Sequence, residues 1–284
     1  MARSKRGLVN NYASLSDFSF FSLSACISAS PQCAITLLAV KAKNKAVNIA
    51  KHFLIGNPLI VWLYLLRLYQ IDKVPKLKEY MDKQIIAIGG GGFGRYRNRL
   101  EIESYLLEQA NVSRPNICFI PTATGDDKSY IVNFYSAFSR LNCNPTHLEL
   151  FSRTPDIAQL IANQNIVFVG GGNTKSMLAV WNEWGLGSIL KLAYDNGTLL
   201  SGVSAGAICW FEQGVTDSWA GCLKPLSCLG FVSGSCCPHF DEEKERRPAL
   251  HALIKDKSFK TSFAIDGGSA LHFVNGQVRQ SVAF

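Results

Sequence analysis

Ser201-Gly202-Val203-Ser204-Ala205-Gly206-Ala207 contains the pattern Gly-x-Ser-x-Gly. A β-type run precedes it (Thr198 to Leu200), and a helix-type run follows it (Ala205 to Phe211). The stretch therefore reads as strand, sharp turn and helix start. At such a turn a serine hydroxyl is pushed clear of the sheet. The helix N-terminus beneath it offers unpaired N–H groups to developing negative charge. The glycines on either side remove the Cβ atoms that would block the turn.

Working outward, the same alternation recurs. Short apolar strands are expected at Gln84 to Ile88, Asn116 to Ile120, Thr146 to Phe151, Asn165 to Val169 and 198–201. Between them, helices are expected at Leu100 to Ala110, Ser129 to Leu141, Asp156 to Asn163, Thr174 to Glu183 and Gly187 to Asp195. Buried strands alternating with amphipathic helices predict an α/β fold, a mostly parallel sheet with helices on both faces. Glycine-rich loops at 89–94, 170–173 and 202–206 then fall at the C-terminal strand ends, where such sheets bind ligands. Asn275-Gly276 between two apolar runs predicts a hairpin ending at Phe284, and its second strand reads as the start of a truncated C-terminus.

Residues 1–80 read as a separate, basic N-terminal extension outside the core fold, and 81–284 as the folded domain. The extension holds eleven Lys/Arg against three Asp/Glu; the remainder holds eighteen of each. The formal charge of +8 thus belongs to the extension, and the domain carries no electrostatic footprint for nucleic acid. The apolar run Phe53 to Leu68 is interrupted by Asn57-Pro58 and is shorter than the roughly twenty residues of a spanning helix. The start fits a targeting segment, a loose extension, or translation ahead of Met81; the direct passage from Met81 into a strand favours the last.

Nine cysteines in apolar or mixed contexts fit reduced thiols and a cytoplasmic setting better than disulfides. Cys222, Cys228, Cys236, Cys237 and His239 lack a Cys-x-x-Cys pair, so no metal is expected. The loop 89–94 has loose Gly-x-Gly-x-x-Gly spacing but no ribose-binding acid after it, and no cofactor is expected. Arg95, Arg97, Arg246 and Arg247 read as solvated surface charges.

A serine hydroxyl needs a base to become a nucleophile, and the base needs an orienting partner. His239, fixed by Pro238 on a loop before the acidic run Asp241-Glu242-Glu243, is the best-held of the five histidines. That run is expected to open a helix. The orienting carboxylate is either Asp217 or Asp266. The Ala205 N–H supplies one oxyanion donor, and Gly172 is the natural source of a second.

Val169-Gly170-Gly171-Gly172-Asn173-Thr174, Ser204-Ala205-Gly206-Ala207 and Pro238-His239-Phe240 together resemble the peptidase E (aspartyl dipeptidase) family of serine peptidases, within the class I glutamine amidotransferase-like superfamily. The resemblance covers about residues 81–284. It implies a flavodoxin-like sheet and hydrolysis of short peptides without a cofactor. It also implies Ser204 as nucleophile, His239 as base, Asp217 as its partner, and Gly172 with Ala205 as oxyanion donors. Asp266 is similar to a second acidic position late in these proteins. Val203 stands where the aspartyl dipeptidases carry tryptophan, so their preference for N-terminal aspartate is not carried over. A cyanophycinase-like hydrolase and a non-catalytic ligand-binding relative are the alternatives.

Overall fold

A computed structural model describes residues 82–96 and 98–284. The expectations for residues 1–80, including the apolar run Phe53 to Leu68, lie outside these residues. The chain order is β1 (Gln84–Ile88), α1 (Glu101–Gln109), β2 (Asn116–Ile120), a 3-10 turn (Thr122–Thr124), α2 (Lys128–Phe138), β3 (Asn144–His147), α3 (Ile157–Ala162), β4 (Ile166–Val169), α4 (Thr174–Glu183), α5 (Leu186–Asp195) and β5 (Leu199–Val203). There follow α6 (Ala205–Ile208), β6 (Phe211–Thr216), β7 (Lys224–Ser227), β8 (Val232–Cys237), α7 (Arg246–Lys255), β9 (Ser262–Ala264), β10 (Ser269–Val274) and β11 (Gln277–Ala283).

The main sheet has the order β11-β10-β1-β5-β4-β2-β3. Strands β1, β5, β4, β2 and β3 run parallel, and the β10–β11 hairpin closes one edge antiparallel to β1. The α/β fold is as expected. Alternation along the strands divides the interior into two layers. Ile85 and Ala87 face Met177, Trp181, Leu186 and Leu190 of α4 and α5. Ile86 and Ile88 face Ile102, Leu106, Ile131 and Phe134 of α1 and α2. Two of these helices, α2 and α4, begin where a side chain satisfies a free amide: Asp127 accepts from Tyr130 N–H at 2.7 Å, and Asn173 from Ser176 N–H at 2.8 Å.

Two departures have local causes. Strand β3 lies earlier than the expected Thr146 to Phe151, because the Asp126 carboxylate captures the amides of Leu150 (2.5 Å) and Phe151 (3.0 Å), removing them from any ladder. A second sheet of order β7-β6-β8-β9, absent from the sequence reading, follows the serine turn. The helix expected to run to Phe211 stops at Ile208, and Phe211 begins β6.

The position of the site follows from the strand order. Strands β1, β5 and β4 are adjacent and parallel, so the loops 89–94, 202–206 and 170–173 leave the same edge of the sheet side by side. Strand β8 of the second sheet, parallel to β6 and β9, delivers Pro238-His239 to that edge.

Candidate active site

Ser204 connects β5 to α6 with φ 56° and ψ −112°. A non-glycine residue there is strained, and the surrounding packing must hold it. The tightness shows in its neighbours. A Cβ on Gly202 would stand 2.3 Å from the Gly206 carbonyl oxygen, and one on Gly206 would stand 2.2 Å from the Val169 carbonyl oxygen. The Gly-x-Ser-x-Gly glycines are therefore steric requirements of this turn.

The end of β1 ties the serine and the histidine together. The Ser204 N–H donates to the Ile88 carbonyl at 3.0 Å, and the His239 N–H donates to the Gly89 carbonyl at 3.2 Å. The imidazole then lies over Gly90, where a Cβ would come within 2.8 Å of His239 Nδ1. Gly171 backs onto the serine, with its Cβ position 3.4 Å from Ser204 Cβ and 3.9 Å from Oγ. Among the described residues the Ser204 hydroxyl is not hydrogen-bonded to His239. Such contacts commonly tighten only when substrate binds.

The carboxylate on His239 is Glu242, with Oε2 at 2.7 Å from Nδ1. An ionised carboxylate can only accept, so Nδ1–H donates and Nε2 is left as the basic nitrogen. Burial alone would raise the Glu242 carboxyl. Hydrogen bonds from His239 and from Arg95 Nη1 (2.5 Å to Oε1) outweigh it and hold the group below the usual carboxylate range.

Neither acid named from sequence hydrogen-bonds His239 among the described residues. Asp217 is 66 % exposed, and its nearest cation is Arg246 Nη2 at 3.8 Å. It lines an open groove of about 460 Å³ with Trp219, Leu223, Glu243 and Glu245. Asp266 is also exposed; its backbone carbonyl packs against Gly89 and accepts the Ser269 N–H at 3.2 Å. Glu242 was hidden because Asp241-Glu242-Glu243 reads as a helix start. The helix actually begins at Arg246. Residues 240–242 instead turn, with Glu242 N–H donating to the His239 carbonyl at 3.2 Å, and this brings the carboxylate back beneath the imidazole. The signal available was the His-x-x-Glu spacing. Arg95, expected as a solvated charge, pairs with Glu242. Arg246, expected likewise, is buried, donating to the Val215 carbonyl at 2.8 Å and to Glu243 at 2.7 Å.

The oxyanion candidates flank the serine. Ala205 is the first residue of α6, so its N–H has no intrahelical partner. In the glycine run, the amides of Gly170, Gly171 and Asn173 donate to the Ile120 carbonyl, the Tyr130 hydroxyl and the Ala123 carbonyl. The Gly172 N–H between them is uncommitted among the described residues. Gly172 has φ +135°, and a Cβ there would stand 2.3 Å from the Ala123 carbonyl oxygen, so no other residue fits.

The seven cysteines among the described residues are free thiols. No group of three or more His, Cys, Asp or Glu side chains among those residues could hold a metal ion. No helix among them is long and apolar enough to cross a membrane.

Comparison with known proteins points the same way. Residues 85–281 match peptidase family S51. The chain is 51 % identical over 202 residues to a Bacillus subtilis (strain 168) protein named "Uncharacterized peptidase YgaJ", covering 71 % of this chain and 87 % of that one. It is 29 % identical over 175 residues to "Peptidase E" of Haemophilus influenzae (strain ATCC 51907 / DSM 11121 / KW20 / Rd), covering 56 % and 77 %. Two crystal structures share the fold, each with a TM-score of 0.55. A putative peptidase E protein from Listeria monocytogenes EGD-e is 17 % identical and covers 72 % of this chain and 99 % of its own. A peptidase from an acI-B1 Actinobacterium is 18 % identical and covers 72 % and 98 %. The family match runs from β1 to β11 and takes in the serine turn, the glycine run and the histidine loop: the chain belongs to peptidase family S51.

Proposed function

We propose that this chain is a serine-type peptidase acting on short peptides, with Ser204 as nucleophile, His239 as base and Glu242, in place of the expected Asp217 or Asp266, as the group that orients the imidazole. The observation that carries the reading is the anchoring of Ser204 and His239 to the consecutive carbonyls of Ile88 and Gly89, with Glu242 on the far side of the imidazole.

In this reading the Ser204 oxygen attacks the scissile carbonyl carbon while His239 Nε2 takes the hydroxyl proton. The carbonyl oxygen becomes an oxyanion, met by the N–H groups of Gly172 and Ala205. The C–N bond then breaks and the imidazolium passes its proton to the departing amine, leaving an acyl-serine. Water, deprotonated by the same imidazole, releases the acid and restores Ser204. Glu242 holds the tautomer in which Nε2 is free and stabilises the imidazolium.

Free, unpaired thiols suit a reducing compartment, which supports a cytoplasmic location. Turnover of a dipeptide library tests the activity. The wild type should cleave a subset that Ser204→Ala leaves intact; equal turnover by both would remove the reading.

A further inference from the structure

Resting on that reading, we propose that Tyr130 is a positioning residue for the reaction: it sets the backbone of the Gly170–Gly172 run against Ser204 and locks that run to the Gly89–Gly94 loop that supports His239.

Tyr130 sits in the first turn of α2, where Asp127 caps the helix. Its ring packs on Phe93 (centroids 5.3 Å apart) and on Phe119 (4.9 Å). It also fills the space of two missing side chains, one on each loop. A Cβ on Gly94 would stand 2.7 Å from the ring, and one on Gly170 would stand 2.8 Å from it. The ring is thus a spacer between the two loops. At its tip, the hydroxyl accepts the Gly171 N–H at 3.4 Å.

The consequence is directional. A Cβ on Gly171 would stand 3.4 Å from Ser204 Cβ, and the Gly171 amide is turned toward Tyr130 rather than toward the reaction. On the other side, Asn173 N–H is held by the Ala123 carbonyl at 2.8 Å. With both neighbours tied back, Gly172 is the amide in the run free to meet an oxyanion. Removing the Tyr130 acceptor frees the Gly171 peptide plane to rotate, and a rotated plane misaims the next N–H. Such a donor counts only if it is preorganised where charge develops. The hydroxyl stays neutral in this role, because burial pushes its pKa up to about 12. The second loop is held in register as well: Phe93, which carries the ring contact, donates its N–H to the buried Glu103 carboxyl at 2.6 Å.

The test is Tyr130→Phe, which keeps the spacer ring and deletes only the acceptor. On a dipeptide that the wild type cleaves, kcat should fall about tenfold, less than the full loss of an oxyanion donor, with KM within about twofold. Binding of a peptide aldehyde, whose hemiacetal oxygen sits where the oxyanion forms, should weaken by the same factor, while product affinity stays unchanged. Gly94→Ala, pressing on the ring from the other loop, should lower kcat in the same sense and serves if the Phe variant does not fold. An active wild type matched by equally active variants, or aldehyde affinity unmoved, overturns the proposal alone. A wild type that cleaves no peptide and binds no aldehyde overturns the serine-peptidase reading with it.

Discussion

Glu242, three residues beyond His239, accepts the imidazole Nδ1–H at 2.7 Å, while its other oxygen takes Arg95 Nη1 at 2.5 Å. The pair is a local device, because a turn immediately after the histidine folds its partner back onto it. It is also tied to the first strand of the sheet, since Arg95 and Gly90 both belong to the loop after β1. A carboxylate that accepts from the Arg95 guanidinium and from the imidazole N–H is held in its ionised form, so it can orient the imidazole and stabilise its charged form without taking the proton.

Glu242→Gln should therefore lower kcat by at least about 100-fold, since an amide there favours the wrong tautomer. Asp217→Asn, at an exposed position 3.8 Å from Arg246, should change kcat less than about threefold. Steady-state kinetics of the two variants on one substrate decides between the carboxylates. The reverse ranking would return the role to Asp217.

Gly90→Ala should impair catalysis without unfolding the chain. Its Cβ would stand 2.8 Å from His239 Nδ1 and 2.9 Å from Glu242 Oε2, so the imidazole must shift. A displacement of about 1 Å at a reacting group can cost about 100-fold. Circular dichroism should be unchanged while kcat/KM falls by roughly that factor; unaltered kinetics would show that the imidazole does not rest on Gly90.

Ser204→Gly should remove activity and raise stability. The serine holds φ 56°, a conformation that costs a non-glycine residue about 1–3 kcal/mol and glycine far less. Part of that gain is lost to glycine's greater freedom in the unfolded chain, leaving about 1 kcal/mol in chemical denaturation. A variant less stable than wild type would contradict the strain at this turn.

His272 should make stability depend on pH. It is fully buried on β10, with Tyr105 Oη at 2.8 Å from Nδ1 and Gln84 Oε1 at 2.9 Å from Nε2. The Gln84 oxygen can only accept, so Nε2 carries the proton and Nδ1 accepts from the tyrosine. Burial pulls the imidazole down to about 4, against about 6.5 when unfolded. Between those values the unfolded chain binds more protons. The contribution is then complete above about pH 6.5 and falls as pH drops toward 4, by about 3 kcal/mol in all. Urea midpoints from pH 7.5 to 4.5 should show a slope that His272→Gln reduces; parallel slopes would refute the assignment.

The legible parts of the molecule were those where one residue type has few structural uses. Gly202 and Gly206 bracket a turn no Cβ could enter, so the serine elbow was readable at once. Three of the parallel strands hold four apolar residues in a row, at 85–88, 117–120 and 166–169, and their order in the chain implied the sheet. Pro238 marked His239 as held. The second sheet was not visible because its strands are short and broken by polar residues and glycine, as in Phe211-Glu212-Gln213-Gly214 and Val232-Ser233-Gly234-Ser235. Neither shows a sustained period of two. Glu242 was missed because its role depends on a turn whose acidic residues suit a helix N-terminus equally well.

The central claim is that Ser204 is a nucleophile activated by His239, and the most direct measurement is covalent labelling with a fluorophosphonate followed by peptide mapping. The account predicts a single adduct on Ser204, formed by the wild type and slowed at least about 100-fold in His239→Ala, in folded protein. A folded wild type that takes no label at Ser204, or one whose His239→Ala variant labels there just as fast, would contradict it.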